Sequence, residues 1–206
     1  KAHLRKKITI DDVMKSAVVA SPLKLYDCCP FSDGGSAVIL CSEKFAKAHT
    51  KDYVEVIGSG RGGSPAALQG RDHITTIPST RIAAQAAYKM AGISPKDVDF
   101  AEVHDCFTIA ELVDTEDLGF FEKGKAVEAV REGRTKLNGD ISINPSGGLK
   151  SKGHPIGATG IGQVAEVFDQ LTGKAGDRTV KDAKIGLTHN FGATGASCAV
   201  HIFKSV

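Results

Sequence analysis

The chain has 206 residues, of which 41% are hydrophobic and 24% charged, the composition of an ordinary globular protein with room for one sizeable core. Its formal net charge of +2 arises from interspersed residues of both signs, so neither a nucleic-acid partner nor a membrane partner is predicted. The five cysteines show no CxxC spacing, which favours a reducing cytoplasm over a disulfide framework or a metal site.

Residues 1–50 are predicted to form the closing part of an α/β unit whose beginning lies outside the chain. Short helices are expected after Thr9 and from Ser42. Between them lie a turn-rich segment, residues 28–35, and a predicted strand over residues 37–40. The basic residues at the start are interpreted as a solvated tail or, alternatively, as a phosphate-contacting patch: Lys1, Arg5, Lys6 and Lys7.

Residues 51–206 are predicted to form a second unit of alternating strands and helices. Strands are expected at 53–58, 99–103, 141–144, 185–188 and 196–203, and helices at 80–90, 107–113, 126–131 and 161–171. Ser79 is the expected cap of the first helix and Gly92 its end. The last helix has one apolar face, made of Ile161, Val164, Ala165, Phe168 and Leu171. The order βαβαβαββ predicts an α/β fold class: a mixed β-sheet with helices on both faces.

The candidate catalytic residues follow the ends of predicted strands, where ligands bind in open α/β sheets. The second strand of this unit is followed by His104 and Cys106, and the third leads into a glycine-rich loop that carries His154. The fourth leads to Asn190 and Gly192. An imidazole can lower the pKa of a neighbouring thiol, and free N–H groups in a glycine turn can stabilise an oxyanion. The pattern therefore indicates cysteine–histidine chemistry in one crevice.

Three short motifs resemble the thiolase superfamily: His-Asp-Cys-Phe at 104–107, Gly-His-Pro at 153–155 and Asn-Phe-Gly at 190–192. They are similar in particular to the subclass related to sterol carrier protein 2 thiolase and the archaeal acetyl-CoA acetyltransferases. The resemblance extends over essentially the whole chain and implies a thiolase-like fold, in which two βαβαβαββ halves stack as five layers. It implies that residues 51–206 are the C-terminal half and residues 1–50 the incomplete end of the N-terminal half.

The resemblance also implies catalytic roles. His154 would help to form the nucleophilic thiolate and to bind the thioester oxygen, and His104 would donate a second hydrogen bond to that oxygen. Many thiolases carry the acid/base cysteine where this chain has Asn190. The similarity to the His-Asp-Cys-Phe subclass therefore makes Cys106 the acid/base, and the N–H of Gly192 would serve a second oxyanion hole.

The turn at residues 28–35 is implied to lie near the substrate. Cys28 and Cys29 match a position close to the loop that contacts the pantetheine arm of CoA, with plain packing as the alternative. The implied substrate-binding set consists of Cys29, Phe31, Ser32 and Asn190. Three further residues are interpreted as structural: Cys41 and Cys198, as small hydrophobic groups within strands, and His189.

No cysteine of the chain matches the thiolase nucleophile, which belongs to the upstream part of the N-terminal half. The resemblance thus implies one part of an acyl-CoA C-acyltransferase that forms or cleaves 3-ketoacyl-CoA, such as acetoacetyl-CoA, by Claisen chemistry. Activity would require an N-terminal half or subunit in a homo- or hetero-oligomer, with CoA thioesters as substrates and no further cofactor. The alternative is a non-catalytic thiolase-like scaffold or CoA-binding subunit; acyl-chain length and reaction direction stay open.

Overall fold

A computed structural model of the chain describes residues 3 and 5–206. The helices are α1 (Ile10–Lys15), α2 (Glu43–His49), α3 (Pro78–Ala91), α4 (Thr108–Asp117), α5 (Ala126–Arg131), α6 (Gly148–Lys152) and α7 (Thr159–Leu171). The strands are β1 (Val18–Ala20), β2 (Leu23–Lys24), β3 (Val54–Gly63), β4 (Phe100–Glu102), β5 (Ser142–Ile143), β6 (Ile185–Gly192) and β7 (Ser197–Ser205). None of the described helices is both long and apolar enough to cross a membrane.

One mixed sheet organises the chain from β3 onwards. Its strand order is β3-β7-β6-β4-β5. Strand β7 runs antiparallel to β3 and β6, whereas β4 runs parallel to β6 and β5. Helices α3 and α4 cover one face and α7 the other, which confirms the predicted fold class. Because β4, β5 and β6 are parallel, their carboxyl ends lie at one edge of the sheet.

Glycines in β3 bring α3 unusually close to the sheet. A Cβ atom on Gly60 would lie 1.9 Å from the carbonyl oxygen of Ala83, and one on Gly62 would lie 2.0 Å from that of Ser79. The prediction that Ser79 caps α3 is wrong, because the cap position is Ile77 and Pro78 occupies the first turn. Ser79 is instead buried against β3, and its hydroxyl donates to the carbonyl of Gly195. The predicted end of the helix at Gly92 is confirmed by its left-handed backbone.

Helix α7 buries a polar face. The buried residues of this helix include Gln163 and Gln170 as well as Val167. The side-chain amide of Gln163 donates to the backbone carbonyls of Glu102 and His189. The predicted apolar face lies partly against the core, because Val164 and Leu171 pack against the cluster that contains Val167. The members of that face are half-buried or exposed: Ile161, Val164, Ala165, Phe168 and Leu171. The polar face turns inward because its amides satisfy backbone groups at the edge of the sheet.

Residues 5–50 differ from expectation at two places. The short helices after Thr9 and from Ser42 are confirmed, and a hairpin of β1 and β2 was not predicted. The predicted strand over residues 37–40 is wrong for the described chain, because no described segment pairs with it. Ile39 and Leu40 are consequently 90% and 84% exposed.

Two smaller interpretations have mixed outcomes. Cys198 is buried in β7 as expected, whereas Cys41 is exposed and lies outside any strand, because the strand predicted to hold it does not form. Of the basic residues at the start, Lys1 lies outside the described residues and the others are exposed: Arg5, Lys6 and Lys7. The division at residue 51 stays a prediction.

Candidate active site

Three aromatic side chains meet where β4, β5 and β6 end. His104 follows β4, His154 follows the loop after β5, and Phe191 lies near the end of β6. The ring centroids of His104 and His154 are 4.9 Å apart in an edge-on arrangement, and those of His104 and Phe191 are 4.6 Å apart. The fold thus brings together two histidines that lie 50 residues apart in the sequence.

A hydrogen bond to Thr159 engages one ring nitrogen of His154. Its Nδ1 lies 2.7 Å from the hydroxyl oxygen of Thr159, and the same hydroxyl lies 3.1 Å from the carbonyl oxygen of Pro155. When the hydroxyl proton lies on Pro155, the Thr159 oxygen accepts from Nδ1–H and Nε2 of the neutral ring keeps a free lone pair. Burial lowers the pKa of His154, so the ring is neutral and able to accept a proton at neutral pH.

The backbone of His154 is held from the opposite side by the turn at residues 28–35. Its N–H donates to the carbonyl of Pro30 at 3.0 Å, and Phe31 forms an isolated parallel bridge to it. The Phe31 side chain is 81% exposed. Ser32 packs on the loop, since a Cβ atom on Gly153 would lie 2.5 Å from its hydroxyl oxygen. These two members of the predicted substrate-binding set therefore lie beside His154.

His104 is buried and neutral. Burial, and secondarily the neighbouring His154, lowers its pKa to about 4. Its Nδ1 is buried and has no hydrogen-bond partner among the described residues. A neutral ring with an unpartnered Nδ1 can carry its proton on Nε2 and donate from there.

Cys106 lies beside Cys29. The backbone N–H of Cys29 donates to the carbonyl of Cys106 at 2.9 Å, and Cys28 forms an antiparallel bridge to Phe107. Burial, and secondarily the neighbouring thiol of Cys29, raises the pKa of Cys106 to about 12. Burial also raises the pKa of Cys29. Both groups are therefore protonated thiols at neutral pH in this chain.

Asn190 and Gly192 lie on the third strand end. The amide of Asn190 donates to Gln163 of α7 at 3.2 Å and lies beside Gly160, on the opposite face of β6 from Phe191. Gly192 ends the strand, and its carbonyl accepts from the backbone of the following turn. The catalytic roles of His104, Cys106, His154 and Gly192 and the substrate contacts of Cys29, Phe31, Ser32 and Asn190 stay predictions.

Sequence reasoning missed a set of buried polar residues behind these side chains. Asp114 is fully buried with both carboxyl oxygens unpartnered in the described chain, and burial raises its pKa well above the usual value. It lies 3.7 Å from Nδ1 of His189, whose Nε2 contacts the hydroxyl of Thr80 at 2.9 Å. His189 is fully buried, which agrees with its structural interpretation. The spacing of acidic residues along α4 was the only sequence signal for this set.

Glu111, on the same helix as Asp114, is a half-buried carboxyl group and accepts from the Asn144 amide at 2.9 Å. Burial, and secondarily the charge of Asp105, raises the pKa of Glu111 to about 7. A folded-state pKa above the unfolded value means that its stabilising contribution is fully present at low pH and is lost as the pH rises through about 7.

Replacement of Glu111 by glutamine should remove this loss, because glutamine stays neutral and keeps an oxygen acceptor for Asn144. We expect the free energy of unfolding of E111Q, relative to the unmodified protein, to rise by about 3 kcal/mol between about pH 4 and about pH 8. Urea unfolding across this pH range measures the difference. Glu128→Gln replaces an exposed glutamate and is the control; its free energy of unfolding should follow the same pH dependence as that of the unmodified protein. The same pH dependence in E111Q would contradict the prediction.

Among residues 3 and 5–206, no group of three or more His, Cys, Asp or Glu side chains is arranged to hold a metal ion.

The sequence is similar to several curated proteins. An acetyl-CoA acetyltransferase of Methanothermobacter thermautotrophicus is 51% identical over 99% of this chain and 53% of its own length. Sterol carrier protein 2 of Gallus gallus is 40% identical over 95% of this chain and 37% of its own length. The benzoylsuccinyl-CoA thiolase subunit BbsB of Thauera aromatica is 38% identical over 96% and 51%, respectively. The chain thus spans about half the length of the archaeal relative, or less in the case of sterol carrier protein 2.

A solved structure titled Ltp2-ChsH2(DUF35) aldolase has the same fold. It superposes with a TM-score of 0.85 over 96% of this chain and 51% of its own chain, at 24% sequence identity. The family model described as thiolase C-terminal domain-like matches residues 60–205, which include all three motifs and the sheet except the first part of β3. This chain therefore belongs to the thiolase C-terminal domain-like family.

Proposed function

We propose that this chain is the part of a thiolase-type acyl-CoA C-acyltransferase that supplies the acid/base and oxyanion-binding groups for cleaving or forming 3-ketoacyl-CoA, such as acetoacetyl-CoA. The observation that carries the proposal is the hydrogen-bonded orientation of His154 beside His104. His154 presents an unprotonated Nε2 at the edge of the sheet where the three motifs meet. An oriented imidazole base beside a second imidazole donor suits thioester chemistry.

In the cleavage direction, His154 first accepts the proton of a nucleophilic thiol. The resulting thiolate attacks the 3-keto carbonyl, and the backbone N–H of Gly192 stabilises the oxyanion on that carbonyl as part of the second oxyanion hole. Collapse breaks the bond between the α- and β-carbons and leaves the electron pair on the α-carbon as an enolate. Nε2–H of the His154 imidazolium and the ring N–H of His104 both donate to the thioester oxygen on which this enolate charge accumulates.

Cys106 then protonates the α-carbon. Its raised pKa, about 12, keeps the proton on sulfur until a strong base forms nearby, and an enolate is such a base. The Cys106 thiol is restored when its thiolate takes the proton of the incoming CoA thiol. CoA attacks the acyl enzyme, releases the shortened acyl-CoA and frees the nucleophilic thiolate. Protons balance over the cycle without any oxidant or further cofactor.

The nucleophilic thiol is proposed to come from a further polypeptide region, either in the same protein or in a partner subunit. Cys28 and Cys29 lie in the turn that supports Cys106, not at the end of a strand facing His154. The exposed apolar side chains of Ile39 and Leu40 support association with such a region, because large apolar groups rarely face water in consecutive positions.

An activity assay on the assembled protein tests the proposal. The chain is co-expressed with the region that carries the nucleophilic cysteine, and the CoA-dependent cleavage of acetoacetyl-CoA is followed by the loss of its enolate absorbance. We expect turnover by the complex and none by this chain alone. A complex that binds CoA but cleaves no 3-ketoacyl-CoA would overturn the proposal and favour the non-catalytic scaffold.

A further inference from the structure

Two buried carboxyl groups at the end of β4 bind the loop that delivers His154. The loop runs from Pro145 to Gly153 and contains the short helix α6. Glu102 is fully buried and Asp105 is 3% exposed. Both side chains come from the strand end that also carries His104. That strand end therefore supplies the first motif and also binds the loop that precedes the second motif, Gly-His-Pro.

Glu102 binds the two ends of the loop. Its Oε1 accepts from the backbone N–H of Ser146 at 3.0 Å, and its Oε2 accepts from the Ser146 hydroxyl at 2.6 Å. The same Oε2 accepts from Nζ of Lys152 at 3.1 Å, and Lys152 also donates to the Ser146 hydroxyl at 2.7 Å. Residues 146 and 152 are thereby held on one carboxylate.

Asp105 binds the middle of the loop. Its Oδ1 accepts from the backbone N–H of Leu149 at 2.7 Å, and its Oδ2 lies 3.4 Å from that of Lys150. Gly148 makes this approach possible, since a Cβ atom there would lie 2.2 Å from Oδ2 of Asp105. The backbone of Gly148 has a φ of +61°, so a side chain there would be both strained and obstructed.

We propose that Asp105, acting with Glu102, is a positioning residue that holds the 145–153 loop so that the imidazole of His154 faces that of His104. The inference rests on the proposed function, because it assigns these carboxyl groups a task in that same site. Neither group contacts the reacting atoms. A displacement of about 1 Å at a reacting group can reduce a rate by about 10²-fold, so a loop of nine residues before His154 needs such fixation.

A matched pair of aspartate variants tests the proposal in the assembled enzyme. Asp99 has the same type of contact at the other end of β4, where Oδ2 accepts from the backbone N–H groups of Lys184 and Ile185 at 2.7 and 2.8 Å. Asp105→Asn replaces one carboxylate oxygen by an NH₂ group. That group cannot accept a hydrogen bond from the backbone N–H groups of the loop, so one of the two acceptors is lost. We expect amide hydrogen exchange over residues 146–154 to accelerate at least about tenfold in D105N and to stay unchanged in D99N.

The kinetic arm uses the same two variants. We expect kcat of D105N to fall by about 10- to 100-fold with little change in KM, because positioning affects the reacting groups more than CoA binding. D99N should keep its kcat. Equal losses of kcat in D105N and D99N would mean that Asp105 has only a structural role. Unchanged amide hydrogen exchange in D105N would overturn the proposal that Asp105 holds the 145–153 loop.

A glycine pair tests the contact from the loop side. Gly148→Ala places a methyl group against Asp105, whereas Gly124→Ala imposes a similar left-handed strain at φ +80° with nothing within 4 Å of the new Cβ. Only G148A should accelerate exchange over residues 146–154 and lower kcat. If the assembled protein proves to have no thiolase activity, the hydrogen-exchange measurements still decide whether Asp105 holds the 145–153 loop. Failure of the proposed function and failure of this inference are therefore distinguishable.

Discussion

Replacement of Cys106 by alanine is expected to lower kcat for 3-ketoacyl-CoA cleavage in the assembled enzyme by about 10²- to 10⁴-fold, the usual contribution of a general acid–base group. The physical reason is that the enolate released by carbon–carbon cleavage loses its proton donor. Acylation of the nucleophile by acetyl-CoA releases a thiolate and no carbanion, so that half-reaction should continue slowly in C106A. Single-turnover acetylation followed by mass spectrometry, compared with steady-state cleavage, separates the two steps.

Cys41→Ala is the control for the loss of a thiol, because Cys41 is exposed and lies outside the candidate site. It should leave both half-reactions unchanged. Turnover of C106A close to that of C41A would remove Cys106 from the mechanism and direct attention to Cys29, whose backbone pairs with it.

Replacement of His154 by alanine is expected to lower kcat by about 10²-fold or more, since the base for the nucleophile and one oxyanion donor are lost together. It should also raise the pKa at which the nucleophilic thiol becomes reactive, because no imidazole remains to accept the thiol proton. The rate of alkylation by iodoacetamide, measured against pH, reports this second effect without requiring turnover.

His104→Ala is the matched comparison, since the two rings are in contact but only His154 has an Nε2 that is oriented as a base. We expect H104A to lose kcat by a similar factor while its alkylation profile stays that of the unmodified enzyme. Identical alkylation profiles for the unmodified enzyme and H154A would contradict the assignment of His154 as the base.

The fold class and the places of the candidate residues could be predicted from the sequence because both depend on local patterns. Alternating apolar residues predicted the strands, the left-handed Gly92 ended α3 as expected, and Ala126–Arg131 is helical over the predicted bounds. Strand ends bring their following residues to one edge of a parallel sheet whatever the details of packing. That rule predicted one crevice for the three motifs; the structure brings His104, His154 and Phe191 together, whereas the Asn190 side chain lies on the opposite face of β6.

Patterns failed where the partner of a segment decides its structure. Residues 37–40 have the composition of a strand, but an extended segment needs a neighbouring strand to bond its backbone, and the described chain has none at that place. In α7 the five residues of the predicted apolar face are only half-buried or exposed, whereas Gln163 and Gln170 are buried and their amides donate to the backbone carbonyls of His189 and Arg178.

The sequence by itself determined the family, the layered sheet and the three motifs, because each depends on residues that are adjacent or regularly spaced along the chain. Only the tertiary structure decided the hydrogen-bond partner of the His154 ring, Thr159, and the carboxyl groups that bind the loop before it, Glu102 and Asp105. These features depend on hydrogen bonds between residues that no sequence period relates. Their strength comes from burial, which depends on the packing of the whole sheet and its helices.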